Sequence, residues 1–370
     1  MQIDKLAIFR VCNPIKTPYT TAFGTANAFN SILVKLDNGK YEGWGEAAPM
    51  GFPGFSSETD VTAFHIGGKF LSQLIIGKDI SSGNELQKIF MSVKGNSFAK
   101  GAFDMAWWDL NARMQKIPIK NAIGGTKEKV SAGYTLGVMQ DIDSLLERIQ
   151  VLMDSGYPRI KLKYCPGWDL DMVRSVRSAF PDLIMHIDCN SAYTLDDIDM
   201  FKKLDKYNLA MIEQPLMNDD LIDHAFLQKQ IATPICLDES ISSPTKARQA
   251  MQIKACRFIN IKHGRVGGIT NSLKIHNICQ DSGVPCWIGA MCESALGVTF
   301  SMNLATLPNV KYPSDITPSA KFYERNLCKP IPDNPKPGLF IPSEEHGIGV
   351  VPDSEMLKKT TLDQFELLAN

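Results

Sequence analysis

Five polar residues recur along this chain at a nearly constant interval, and that interval limits the fold more than anything else in the sequence. Lys163, Asp188, Glu213 and Asp238 follow one another 25 residues apart, and Lys262 comes 24 later. Each closes an apolar run rich in strand formers: RIKLKY from Arg159, LIMHIDCN from Leu183, LAMIEQP from Leu209, PICLDES from Pro234 and FINIKHG from Phe258. Segments with helical spacing lie between the runs, such as Val173, Val176 and Phe180, or Ile198, Phe201 and Leu204. Strands alternating with helices predict parallel pairing with right-handed crossovers. The unit begins one period earlier, at VSAGYTLGV from Val130, and continues to PCWIG from Pro285 and NVKYPSDI from Asn309, which predicts eight strands. The expected fold class is therefore α/β, a modified (β/α)8 (TIM-like) barrel with its chemistry at the C-terminal ends of the strands. Strand residues alternate faces, so Lys161 shares a face with Lys163, and Asp188 with Asn190.

A barrel accounts for only part of 370 residues. Residues 1–125 read as an α+β capping domain. MQIDKLAIFRV, NSILVKLDN and KYEGWGEA alternate like antiparallel strands, Asn38-Gly39 is a hairpin signal, and a helix is expected from about Phe98 to Met114. Residues 126–320 form the catalytic barrel, and residues 321–370 are expected to return to the cap. Two stretches of the cap, at about 17–29 and 48–59, mix Gly, Pro and small polar residues with aromatics. That composition suits lid loops over a ligand, although for either stretch taken alone an ordinary surface loop is the first reading.

The charge balance, 39 basic against 40 acidic residues, gives no electrostatic reason to expect nucleic acid or a membrane surface as partner. Nine cysteines without a C-x-x-C pair argue against a disulfide framework and for a reducing cytoplasm. The N-terminus lacks the apolar core of a signal peptide, and no apolar run reaches the roughly 18 residues of a membrane span.

Asp188, Glu213 and Asp238 come from three adjacent predicted strands. Three carboxylates brought together repel one another, and a divalent cation removes the difficulty; all-oxygen ligation favours Mg²⁺. Taken singly, each acid could instead cap a helix or pair with a lysine. Lys161, Lys163 and Lys262 flank the acids, and an amine near other cations and partly desolvated is expected to have a lowered pKa, suited to a base. Arg265 either depresses the pKa of Lys262 further or bonds a carboxylate. Together these groups suit proton abstraction next to a carboxylate, the enediolate being held by the metal and fixed cations. A Lys base with Mg²⁺ at an enediolate is the chemistry of the enolase superfamily.

The K-x-K of Lys161 and Lys163, the D-x-N of Asp188 and Asn190, the E-Q-P of Glu213, the D-E-S of Asp238 and NIKHGRVGGI around Lys262 resemble the muconate-lactonizing subgroup of that superfamily. Within it, RIKLKYCPGWD, PICLDES, VPCWIGAMCES and SDITPSAKFYERN are most similar to the o-succinylbenzoate synthase and N-succinylamino acid racemase branch. The resemblance implies Mg²⁺, with Mn²⁺ as a substitute, on Asp188, Glu213 and Asp238, and Lys163 and Lys262 as the acid/base pair. It implies substrate contacts from Lys161, Thr135, Asn190, Arg265, Glu293, Ser294 and Asp315. Ala290 and Ala295 stand where the branch has glycine, and their methyls narrow the space for a succinyl group.

The expected reaction is dehydration of 2-succinyl-6-hydroxy-2,4-cyclohexadiene-1-carboxylate to o-succinylbenzoate, a menaquinone-forming step. Racemisation of N-acylamino acids is the alternative, or another racemase or cycloisomerase of the subgroup. A barrel that only binds a ligand around a structural metal is the alternative outside enzymes. The expected partner is a small carboxylate substrate and the chain is expected to be cytoplasmic; a homo-oligomer is one state open to it, since such barrels often associate, and the sequence does not fix the oligomeric state.

Overall fold

A computed structural model describes the chain except residues 22, 23, 331 and 370. Among the described residues the cap is built on an antiparallel sheet of β1 (Lys5–Thr21), β2 (Gly24–Asp37), β3 (Glu42–Ala47) and, from the far end of the chain, β11 (Thr361–Leu368), in the order β11-β1-β2-β3. The turn between β2 and β3 is the one that Asn38-Gly39 predicts: Gly39 has φ +79°, and Asn38 Oδ1 accepts the Lys40 and Tyr41 N–H groups. The stretch 17–29 is not the loop expected from its composition. Its threonines and aromatics extend β1 and β2 into a hairpin, with Tyr19 opposite Ala26 and Thr20 opposite Thr25, and its residues 22 and 23 lie outside the described part.

The long helix of the cap, α1 (Ser97–Gln115), packs on this sheet. Gly43 and Gly45 of β3 permit the approach, since a Cβ at Gly45 would lie 2.1 Å from the Ala102 carbonyl and one at Gly43 2.4 Å from that of Ala106. Ala99, Ala102, Phe103, Ala106 and Leu110 belong to the cap core, whereas Met105 and Ala112 belong to the barrel core. The helix thus lies between two cores, which explains why it is buried nearly all round.

The barrel strands are β4 (Tyr134–Leu136), β5 (Ile160–Lys163), β6 (Met185–Asp188), β7 (Ile212–Glu213), β8 (Ile235–Leu237), β9 (Phe258–Ile261) and β10 (Cys286–Ile288), parallel and in chain order. The eighth strand expected at Asn309 is not formed. Its place is taken by single bridges, Val310 with Cys286 and Ser314 with Ala132, which join the two edges. Pro313 lies between the bridges and has no N–H to give to a continuous ladder.

Inward-facing residues stack in layers, as a closed barrel requires. Met211, Cys236 and Trp287, packed with Phe258 and Tyr312, fill the lower axis. Lys161, His186 and Asn260 lie two residues before Lys163, Asp188 and Lys262 and form a polar layer below the strand ends. All nine cysteines are free thiols, and no helix among the described residues is long and apolar enough to cross a membrane.

Candidate active site

Lys163, Asp188 and Glu213 are the last residues of β5, β6 and β7, and Asp238 and Lys262 directly follow β8 and β9. The ladders set Lys163 beside Asp188 and Asp188 beside Glu213. The acids meet through positive charge. Lys161 Nζ lies 2.8 Å from Asp188 Oδ2, 2.8 Å from Glu213 Oε2 and 3.7 Å from Asp315 Oδ2. Lys163 Nζ donates to Asp188 Oδ2 at 2.8 Å and also to Asn190 Oδ1. Lys262 Nζ stands 2.9 Å from Asp238 Oδ2. Among the described residues no three His, Cys, Asp or Glu side chains by themselves surround one point, because the ammonium groups stand between them.

The electrostatics differ from the expectation of lowered lysine pKa values. Burial alone would push Lys161 down, but Asp188, Glu213, Asp315 and Asp238 together hold it well above the ordinary lysine range. Lys163 is raised as well: burial and Lys161 oppose the ammonium, and Asp188 outweighs them. The surrounding carboxylates outweigh the burial at both amines and, at Lys163, the neighbouring cation as well. Burial likewise opposes the charge on Asp188, and Lys161 and Lys163 overcome it and hold the carboxyl far below its usual range.

Arg265 bonds a carboxylate, one of the two roles considered for it. It pairs with Asp238 Oδ1, while Nε reaches the Ile241 carbonyl at 3.0 Å and Nη2 that of Asn260 at 2.8 Å. Asp238 Oδ2 is buried and receives no well-directed hydrogen bond even though Lys262 is close. Such an oxygen, with the all-carboxylate donor set on three adjacent strands, fits a hard divalent cation.

The other candidates divide. Asn190 links Lys163 to Glu239, with Nδ2 donating to Glu239 Oε1 at 2.9 Å, and its φ of +42° turns the chain at the strand end. Thr135 Oγ1 donates to Asp315 Oδ1 at 3.1 Å, an oxygen that Arg159 Nη2 also reaches at 2.6 Å. Glu293 is buried, which pushes its carboxyl up to about 7, and it accepts the Met291 N–H at 2.8 Å. Ser294 faces the cap rather than the lysines, its hydroxyl donating to Glu46 Oε2 at 2.7 Å. From the lid stretch 48–59, Phe55 sets its ring 4.4 Å from Lys262 Nζ.

Four participants were not anticipated. Glu239 is pushed up to about 7 by burial and by Asp238 and Asp188. Asn260 donates to Glu213 Oε1 at 2.9 Å, and His186 Nε2 lies 3.2 Å from Glu213 Oε2. The alternation that couples Lys161 to Lys163 would have found both, since Asn260 precedes Lys262 by two residues and His186 precedes Asp188 by two. Glu46 has no such local signal, because all its partners but Ser31 lie in the barrel.

Residues 4–124 match the mandelate racemase / muconate lactonizing enzyme N-terminal domain, and residues 144–356 match the enolase C-terminal domain-like family. A Geobacillus kaustophilus protein named o-succinylbenzoate synthase is 41% identical over 94% of this chain and 92% of its own length. An Amycolatopsis protein named N-succinylamino acid racemase is 36% identical over 98% of each. A crystal structure from Listeria innocua, described as a member of the enolase superfamily, superposes with a TM-score of 0.96 at 36% identity over the whole of both chains. The chain therefore belongs to the mandelate racemase / muconate lactonizing enzyme family of the enolase superfamily.

Proposed function

We propose that this enzyme removes a proton α to a carboxylate, and that its reaction is the dehydration of 2-succinyl-6-hydroxy-2,4-cyclohexadiene-1-carboxylate to o-succinylbenzoate. The observation that carries the reading is the order of the strands. Lys163 on β5 and Lys262 after β9 stand at the two ends of the run β6-β7-β8 that bears Asp188, Glu213 and Asp238. An amine on each side of a row of acids can address both faces of one carbon. The names of the relatives, and their coverage of nearly the whole chain, support the choice of substrate.

In this reading Asp188, Glu213 and Asp238 would hold Mg²⁺, which would supply Lewis-acid chemistry to the substrate carboxylate. Lys163 acts in its neutral form, which the charge of Asp188 disfavours until a cation takes that charge up; it takes the α-proton from carbon and returns it to the departing hydroxide, so that water leaves and the ring becomes aromatic. Lys262 stays an ammonium and holds the developing negative charge, with Phe55 covering it. Arg265, fixed on two carbonyls and Asp238, keeps that acid in place. Residues 1–125 and 321–370 serve as the cap, and 126–320 as the barrel.

N-succinylamino acid racemisation is a second reading, favoured by the same pair of lysines, which would then exchange a proton across opposite faces. Turnover of the cyclohexadiene and exchange of the α-proton of N-succinyl amino acids in D₂O, followed by proton NMR, test both. Lys163→Ala is expected to abolish each reaction. Wild-type rates in that variant would refute the role of the lysine, and an inert wild-type protein would leave only a ligand-binding barrel.

A further inference from the structure

One buried group beside the acids takes no part in the chemistry above. His186 lies on β6 two residues before Asp188, fully buried on the barrel axis. Its Nε2 is 3.2 Å from Glu213 Oε2 and its Nδ1 is 2.9 Å from Tyr312 Oη. Trp287 and Tyr312 meet the ring edge-on, with centroids 5.5 and 5.4 Å away, so the imidazole has little freedom to turn.

The donor and acceptor chemistry fixes the direction of this chain. A carboxylate only accepts, so the hydrogen between His186 and Glu213 sits on Nε2. In the neutral ring Nδ1 then accepts, and the Tyr312 hydroxyl donates to it. Asn260 Nδ2 donates to the other oxygen, Glu213 Oε1, at 2.9 Å. Two neutral donors, from β6 and β9, therefore fix the plane of one carboxylate. Lys161 also touches Glu213 Oε2, at 2.8 Å, but a lysine repels any cation that approaches the same oxygens. A neutral imidazole orients the carboxylate without that repulsion.

We propose that His186, locked by Tyr312, is a positioning residue that presets Glu213 for a divalent cation. It rests on the reading that Glu213 is a ligand, and it acts through Glu213 without touching cation or substrate. Partners of this kind behind a metal ligand commonly change affinity by about 10–100-fold when removed.

The test is direct binding of Mn²⁺ to the full chain, by titration calorimetry and by the loss of the free-ion electron paramagnetic resonance signal. His186→Met fills similar space without a donor and is expected to weaken Mn²⁺ binding by about 10-fold or more. Tyr312→Phe keeps the aromatic packing but removes the hydroxyl that donates to Nδ1, so the hydrogen is no longer held on Nε2, and it is expected to weaken Mn²⁺ binding several-fold. His186→Gln offers an amide N–H in place of the imidazole and should recover part of the loss. The rise in unfolding midpoint that Mn²⁺ produces should shrink in the same order, a change that a purely packing role would not cause. Wild-type affinity in both His186→Met and Tyr312→Phe would overturn the inference alone. If His186→Met does not fold, Tyr312→Phe decides. A wild-type protein that takes up no Mn²⁺ would overturn the ligand reading, and this inference with it.

Discussion

Lys161 and Lys163 sit two residues apart on one face of β5, yet their surroundings give them different work. Lys161 is buried between Asp188 and Glu213, and neither carboxylate is balanced without a positive charge. Removing one partner of a buried ionic cluster leaves uncompensated charge and commonly costs about 3–5 kcal/mol. Lys161→Ala should therefore lower stability by about that much in EDTA, measured by urea unfolding, and millimolar Mg²⁺ should restore part of it. Lys163 is about a third exposed at its side chain, and Asp188 keeps Lys161 when Lys163 is gone. Lys163→Ala should leave the urea midpoint nearly unchanged while kcat falls by about 10²–10⁴-fold or more. The motif K-x-K makes both residues visible in the sequence but does not say which one balances buried charge and which one is left for the proposed chemistry. That division depends on Asp315 and Glu213, which are distant in the chain and adjacent only in the fold.

At the scale of elements, what the sequence made legible was the repeat. The 25-residue period marked the strands because each ends on a polar residue after an apolar run, and seven of the eight expected strands form among the described residues. Closure was not legible, since the edges are joined by isolated bridges around Pro313 rather than by a run with strand periodicity. Docking between elements was not legible either. Asp104 of α1 is fully buried and accepts the Thr270 N–H at 2.9 Å, at the start of the helix α2 (Ile269–Asp281). The preceding Gly268 has φ +104°, and a Cβ there would lie 2.5 Å from the Asp104 side chain, so only glycine lets the two helices meet. Burial pushes the Asp104 carboxyl from 3.8 up to about 6, against the hydrogen bonds from Gln87 and Thr270. With the folded pKa above the unfolded one, the native state binds more protons between about pH 4 and pH 6. Stability from this group is thus greatest below that window and declines as pH rises through it, by an amount on the order of 3 kcal/mol. Asp104→Asn, which cannot ionise, should flatten the slope of unfolding free energy against pH across the window. An unchanged slope would assign the dependence to other groups.

Across the whole molecule the cap and the barrel are joined by acids of one part on backbone N–H groups of the other. Glu46 of β3 accepts the Ser294 N–H at 3.0 Å, the Ser294 hydroxyl at 2.7 Å and the Gly297 N–H at 2.9 Å, at the start of the barrel helix α3 (Ala295–Leu304). Ser31 of β2 donates to the same carboxylate at 2.9 Å, which ties the contact to the cap sheet. A carboxylate at a helix N-terminus complements the free N–H groups and the positive end of the dipole. Burial raises its pKa all the same, the hydrogen bonds opposing the shift. Because Ser294 follows Glu293, the contact also fixes the segment that borders the acids and lysines, and because β3 leads directly into the stretch 48–59, it fixes the root of the segment carrying Phe55. Glu46→Ala would leave four donors without that acceptor, costing about 1–3 kcal/mol in stability. Glu46→Gln keeps one acceptor oxygen and should cost less. If the contact also sets the distance from cap to barrel, Glu46→Ala should raise KM for the succinylated substrate more than it lowers kcat, since Lys163 and Asp188 lie on strands that it does not touch. A loss confined to kcat, with KM unchanged, would show that Glu46 acts on the chemical step instead of on how the cap closes over the substrate.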